Sequence, residues 1–106
     1  AFADIDEVLI PYRRPGVRHV FHLYILRVER RDALLAHLTA QGVEAKVHYP
    51  IPIHLQEAAK DLGYKRGDFP VAEADADEVI TLPAHQHIED WEAAKIITEV
   101  RSFYGQ

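Results

Sequence analysis

The chain of 106 residues contains no cysteine and no methionine. Without cysteine it forms no disulfide bond and carries no thiolate for nucleophilic or metal chemistry. The absence of methionine and the opening Ala1-Phe2-Ala3-Asp4 lead us to expect a piece of a longer polypeptide, or a processed product.

Long apolar runs and concentrated positive charge are also missing. No stretch approaches the length of a membrane span, and no basic-apolar-small signal opens the chain. The formal net charge is −5, and no basic cluster exceeds a pair such as Arg13-Arg14. Nucleic-acid and membrane partners are therefore not expected, since nucleic acid requires a concentrated positive face. Nothing in the sequence suggests secretion, and we expect a cytoplasmic protein.

The residues that are present suffice for one domain with a single core, because 48% of them are hydrophobic. Residues 1–16 form a mixed leading segment that ends in a turn at Arg14-Pro15-Gly16. Strands are predicted at 17–28, 43–47 and 79–83, and helices at 31–41, 55–62, 70–78 and from Glu89 onward. The strand at 17–28 is expected to be central and buried on much of both faces, since its apolar run is nearly continuous.

This order of elements predicts an α/β (α+β) fold in two layers. We expect a small three- to four-stranded sheet with helices packed mainly on one face, while the strand order and a mixed sheet stay open. Leu34, Leu35 and Leu38 form the apolar stripe of the first long helix, and Gly42 suits its C-terminal cap. Asp68 is expected to cap the helix that begins at Pro70.

The run His48-Tyr49-Pro50-Ile51-Pro52-Ile53-His54-Leu55-Gln56 is the most informative segment. Each proline fixes its own φ and keeps the preceding residue out of the helical region, so the segment is expected to be a stiff extended corner. Such a corner at the end of a strand can present imidazole and phenol groups to a ligand. The alternative is a rigid connection that merely carries surface histidines.

Other patterns predict less chemistry. The seven histidines lack any recognisable metal-ligand spacing: His19 and His22 are three apart in a predicted strand, and His85 and His87 have no partner carboxylate. Ser102, the single serine, lies in a predicted helix without an elbow turn, and Gly63–Gly67 matches no phosphate-binding fingerprint. His37 is expected on the polar side of its helix. We interpret four carboxylates as a solvated helix face: Glu73, Asp75, Asp77 and Glu78.

Several separate segments together resemble one protein family. They are Arg18-His19-Val20-Phe21-His22-Leu23-Tyr24, Gly42-Val43, His48 to His54, Leu62-Gly63-Tyr64, Gly67-Asp68-Phe69-Pro70-Val71-Ala72-Glu73 and Leu82-Pro83-Ala84-His85. Their order and spacing resemble the C-terminal part of nucleotide-sugar aminotransferases of the DegT/StrS family, over about residues 8–104. Any one of these segments alone would be a weak signal.

The resemblance implies a pyridoxal-phosphate enzyme of the aspartate-aminotransferase fold, usually a homodimer. Such an enzyme transfers an amino group, commonly from glutamate, to a keto sugar carried on a nucleotide. Residues 1–16 would then link from a missing N-terminal domain, and 17–106 would be the small domain. The Schiff-base lysine belongs to the missing domain, so this chain is expected neither to bind pyridoxal phosphate nor to transaminate alone.

The resemblance also assigns site residues. It implies that His48 and Tyr49 border the sugar pocket beside the cofactor, with His54 as a weaker candidate that could only brace the corner. Imidazole and phenol groups can bond sugar hydroxyls or a diphosphate. The sequence departs from the family at Glu89, where serine or threonine would cap the last helix better. The alternative function is a stand-alone, non-catalytic ligand-binding or interaction domain.

Overall fold

The computed structural model describes residues 1–106 and contains three strands and three α-helices. The elements are β1 (Val8–Leu9), β2 (Tyr24–Val28), α1 (Arg31–Ala40), α2 (Pro70–Glu78), β3 (Val79–Leu82) and α3 (Asp90–Phe103). The strands form one sheet in the order β1-β2-β3, and both pairings are antiparallel. The predicted α/β fold with a small sheet of three to four strands is confirmed, with three strands present, and the sheet is not mixed.

The core lies between the sheet and the two longest helices. Leu26 on β2, Leu34 and Leu38 on α1, Ile80 on β3 and Val100 on α3 are fully buried in one cluster. Leu35 packs against the cluster while partly buried, so the predicted apolar stripe of α1 is confirmed. None of the three helices is both long and apolar enough to cross a membrane.

The C-terminus of α1 is closed as the sequence predicted. Gly42 has φ +75°, a left-handed conformation that glycine adopts without a Cβ clash. Its N–H bonds the carbonyl of Thr39 at 3.0 Å, and the N–H of Val43 bonds the carbonyl of Leu38 at 2.8 Å. These two bonds form a Schellman motif, which satisfies carbonyls that the helix end would leave unpaired.

The predicted strand at 17–28 is wrong over its first seven residues. Only Tyr24–Val28 is a strand, whereas Val17 and Val20 are 59% and 85% exposed and Phe21 has φ +50°. Pairing stops at Tyr24 because its partner is Leu82, the last residue of the four-residue β3. The apolar run therefore continues past the end of the sheet.

The predicted strand at 43–47 is also wrong, since this segment makes a single bridge between Lys46 and Thr81. The predicted helix at 55–62 is instead two 3-10 helices, Ile53–Leu55 and Glu57–Leu62, and Gly63 ends the second as expected. The alternation in 43–47 still places Val43 and Ala45 in the core and leaves Glu44 and Lys46 exposed, although the segment forms no strand ladder.

The expected cap of α2 is wrong as well. Phe69 occupies the N-cap position, and Asp68 instead accepts the N–H of Lys65 at 2.9 Å within the preceding loop. At α3 the N-cap position is Glu89, and the carboxylate of Glu92 accepts its N–H at 2.9 Å. Glu92 therefore supplies at this helix start a bond that is typical of a capping box.

The leading segment packs into the same core. Phe2, Ile5 and Val8 are buried, and β1 pairs with β2. Arg101 on α3 bonds both carboxylate oxygens of Asp4 at 2.8 Å, which fastens this segment to the last helix. The division of the chain at residue 16 stays a prediction.

Candidate functional site

The proline corner begins where the chain leaves the edge of β3. After the bridge at Lys46, the half-buried ring of His48 places Nδ1 2.9 Å from Oγ1 of Thr81, a buried residue of β3. This contact fixes the imidazole plane and leaves the second ring nitrogen, Nε2, for another partner.

Tyr49 is an exposed polar side chain of the corner. Its side chain is 71% exposed, and its ring meets the His48 ring edge to face with centroids 5.4 Å apart. The peptide bond between these two residues is cis. Beyond Pro50, Ile51 is 52% exposed and Ile53 is 81% exposed. The corner therefore presents a phenol and two branched apolar side chains to its surroundings.

A depression of about 530 Å³ lies between this corner and α2. Its lining is mostly apolar and includes Ile25, Tyr49, Ile51 and Ile53. Arg27 also reaches it, but its charge is balanced, since Arg27 lies 2.7 Å from Glu78 and 3.3 Å from Asp75. A depression of this kind suits a ligand or a protein surface with both apolar and polar groups.

His54 lies in a different environment from His48 and Tyr49. Its ring is buried, and Nε2 lies 2.9 Å from Oε1 of Glu73. The ring also packs on Phe69 with centroids 4.8 Å apart. The structure thus brings His48 and Tyr49 to one surface and turns the polar end of His54 inward.

Glu73 corrects one interpretation of the sequence. It does not belong to a solvated helix face, because its side chain is 9% exposed, whereas Asp75, Asp77 and Glu78 are at least partly exposed. Burial raises the pKa of this carboxyl, but the N–H groups of Gly67 and Phe69 and the ring of His54 outweigh it. The net pKa of Glu73 lies below its ordinary value, so the carboxylate is charged at neutral pH.

The sequence contained one signal for Glu73 that the interpretation missed. Pro70 marks the first turn of α2, and a glutamate in a first turn can accept N–H groups of the preceding loop. In the structure Glu73 shares a helix face with the buried Ala76, three residues further along α2.

The expected placement of His37 is wrong. Its ring is partly buried between α1 and α3, with Nε2 3.4 Å from Glu99 and its centroid 5.6 Å from that of Phe103. His85 and His87 are exposed, with ring centroids 6.3 Å apart. No three histidine, aspartate or glutamate side chains come close enough to hold a metal ion together.

The lysines are all on the surface. Lys46 pairs with Glu44 at 2.9 Å, Lys60 pairs with Glu57, and Lys65 and Lys95 are exposed. A separate depression of about 730 Å³ near β1 and the start of α1 is lined mostly by charged residues of both signs, among them Glu7, Arg30 and Asp32. Its six carboxylates outnumber its three arginines, so the lining carries a net negative charge.

Comparison with known proteins identifies related sequences over nearly the whole chain. The profile described as the DegT/DnrJ/EryC1/StrS aminotransferase family matches residues 1–101. The erythromycin biosynthesis sensory transduction protein EryC1 of Saccharopolyspora erythraea is 40% identical over 99 residues, covering 93% of this chain and 27% of that protein. The dTDP-3-amino-3,4,6-trideoxy-alpha-D-glucose transaminase of Streptomyces venezuelae is 37% identical over 101 residues, covering 95% and 27%.

Solved structures also match this chain over nearly its whole length. DesV of S. venezuelae, crystallised with a ketimine intermediate, superposes with a TM-score of 0.93 at 35% identity, covering 99% of this chain and 28% of that one. The putative sugar aminotransferase Spr1654 of Streptococcus pneumoniae, in its PMP form, gives a TM-score of 0.85 at 31% identity, covering 98% and 27%. The chain therefore spans about a quarter of the length of the relatives that it matches.

Proposed function

Because the chain belongs to the DegT/DnrJ/EryC1/StrS aminotransferase family, we propose that it is the C-terminal small domain of a nucleotide-sugar aminotransferase dependent on pyridoxal phosphate. The similarity to a transaminase of a dTDP-linked amino sugar supports a keto sugar on a nucleotide as the acceptor substrate. In the parent enzyme an amino acid, glutamate in this proposal, donates the amino group. A homodimeric parent in the cytoplasm belongs to the same proposal.

The role proposed for this chain is to form part of the wall of the sugar pocket. The observation that carries it is the exposure of Tyr49, 71%, on a corner stiffened by Pro50 and Pro52. A phenol can donate a hydrogen bond to a sugar hydroxyl or a diphosphate oxygen, and its ring face can pack on a hexose. His48 adds its free Nε2 beside that phenol, while its Nδ1 is held by Thr81.

The residues present do not fit a pyridoxal-phosphate site. That cofactor is held by an imine to a lysine inside a pocket, and all four lysines of this chain are exposed. Two of them, Lys46 and Lys60, are paired with glutamates close to them in sequence. We therefore assign the cofactor to the remainder of the parent, and we propose that this chain alone neither binds it specifically nor transaminates.

Exposed apolar side chains support a covering partner. Ile51 and Ile53 project from the corner next to Tyr49, and the neighbouring depression is mostly apolar. Apolar groups clustered around a polar contact are typical of a surface that is buried in a larger assembly. We propose that the cofactor domain of the parent covers this side of the chain.

Borohydride reduction tests the proposal directly, because it traps an imine between pyridoxal phosphate and lysine. The 106-residue chain should give at most low labelling spread over its exposed lysines. The parent, expressed from its full reading frame, should be labelled at one lysine outside these residues. A single strongly labelled lysine within this chain would contradict the proposal, and a reading frame without an upstream domain would favour the stand-alone binding domain.

A further inference from the structure

Glu73 joins two separate parts of the chain to α2. It lies in the first turn of α2, and both of its oxygens accept the N–H of Gly67, at 2.8 and 2.9 Å. Oε1 also accepts the N–H of Phe69 at 3.3 Å and lies 2.9 Å from Nε2 of His54. One buried carboxylate thus holds the loop before α2 and the 3-10 helix of the corner in a fixed relation.

The chain between His54 and Tyr49 is stiff, so the contact of His54 with Glu73 also restricts the position of Tyr49. Only four residues separate the two, and two of them are Pro50 and Pro52, which restrict both themselves and the residues before them. The N–H of Leu55 bonds the carbonyl of Pro52 at 2.9 Å, which closes the turn that carries His54. A displacement of the His54 ring would therefore also displace the backbone at Tyr49.

The corner is held at both ends. His48 is anchored to β3 through Thr81, and His54 is anchored to α2 through Glu73. Tyr49 lies between the two anchors and is itself exposed. An exposed side chain keeps a defined position only when the backbone that carries it is fixed by buried contacts.

We propose that the His54–Glu73 pair is a positioning element, which sets the location of Tyr49 and through it the contact with the sugar, without touching the sugar. This inference rests on the proposed role of Tyr49 as a sugar contact. It replaces the expectation that His54 contacts the substrate, because the polar end of that ring is buried against Glu73.

A double-mutant cycle in the full-length parent distinguishes positioning from direct contact. His54→Ala should slow the single-turnover sugar half-reaction by about as much as Tyr49→Phe does, up to about twelvefold, and the amino-acid half-reaction by less than about twofold. In a Tyr49→Phe background the same change should slow the sugar half-reaction by less than about threefold. The reason is that the effects of two substitutions that act through one contact do not add. His54→Gln, which keeps an N–H donor for Glu73, should restore part of the rate.

Other outcomes would overturn the inference. If His54→Ala costs the same factor in both backgrounds, His54 acts independently of Tyr49. If both half-reactions fall together, the pair is only structural. If Tyr49→Phe slows the sugar half-reaction while His54→Ala does not, the proposed function stands and the positioning role is wrong. If Tyr49→Phe itself has no effect, the sugar contact is what fails.

An NMR experiment tests the same proposal on the 106-residue chain. It does not depend on whether the His54→Ala variant folds. In 15N-labelled protein, His54→Gln and Glu73→Gln should shift the amide signals of Tyr49 and Ile51 as well as those of nearby residues. His87→Gln changes an exposed histidine and serves as the control that leaves the corner unshifted. Perturbations that stop at the mutated residues and the loop before α2 would show that the anchor does not reach Tyr49.

Discussion

Nδ1 of His48 lies 2.9 Å from Oγ1 of Thr81, although 33 residues separate the two in sequence. The contact ties a loop side chain to a strand that is buried along its whole length. It fixes one end of the corner to a fully buried strand, so the corner and the core are predicted to be coupled.

Thr81→Val tests this coupling. Valine matches threonine in shape but removes the hydroxyl, so the free energy of unfolding should fall by about 0.5–1.5 kcal/mol and the His48 ring should become mobile. Urea unfolding measures the first effect, and 15N relaxation of the ring nitrogens measures the second. Thr98→Val, at an exposed position of α3, is the matched control. An unchanged His48 ring in Thr81→Val would show that the hydroxyl does not hold it.

Leu38→Ala should lower the free energy of unfolding by about 2–4 kcal/mol, because the Leu38 side chain is fully buried in the core between the sheet and α3. Urea unfolding of the 106-residue chain measures the loss. Lys60→Ala is the near-neutral control, since that side chain is 64% exposed and its pair with Glu57 is a surface ion pair. Equal unfolding midpoints for the two variants would show that α1 packs differently.

Acidification should weaken the attachment of the leading segment. Hydrogen bonding to Arg101 lowers the pKa of Asp4 from 3.8 to about 2. A depressed pKa in the folded state contributes stability above the ordinary pKa, and that contribution is lost as the pH falls from about 4 through about 2. Asp4→Asn should therefore reduce the acid dependence of the urea midpoint over this range.

The matched control for Asp4 is Asp6→Asn, because Asp6 is exposed and makes no ion pair in the structure. It should leave the pH dependence of the midpoint close to that of the unaltered chain. If Asp4→Asn and the unaltered chain lose stability in parallel on acidification, the pair of Asp4 with Arg101 contributes nothing in solution.

Local patterns predicted the regular parts of the fold. Periodicity and end signals gave α1 with Gly42, the helix from Pro70 and the strand at Val79, because these signals act within a few residues. Strand pairing depends on segments that are distant in sequence. The apolar content of residues 17–23 therefore could not show that β3 is too short to pair with them. The pairing of β1 with β2 was missed for the same reason.

The candidate site also combines features that local sequence predicts with features that depend on distant residues. The proline spacing indicated a stiff corner and singled out the His-Tyr pair, since proline restricts the backbone locally. The partners that anchor this corner, Thr81 and Glu73, lie 33 and 19 residues from the histidines that they meet. No periodicity links positions so far apart, so only the folded chain could identify the two anchors.

The most direct test of the proposed sugar contact compares the two half-reactions of the full-length parent in single turnovers. Tyr49→Phe should slow the half-reaction with the nucleotide-linked keto sugar by about twofold to twelvefold, the equivalent of one lost hydrogen bond of about 0.5–1.5 kcal/mol. His48→Ala should cost at least as much, because it removes a whole ring. The amino-acid half-reaction should change little, and Tyr12→Phe, at a position 82% exposed, controls for loss of a surface phenol. Unchanged sugar half-reactions in both corner variants would contradict the assignment and leave the His-Tyr corner a structural connection.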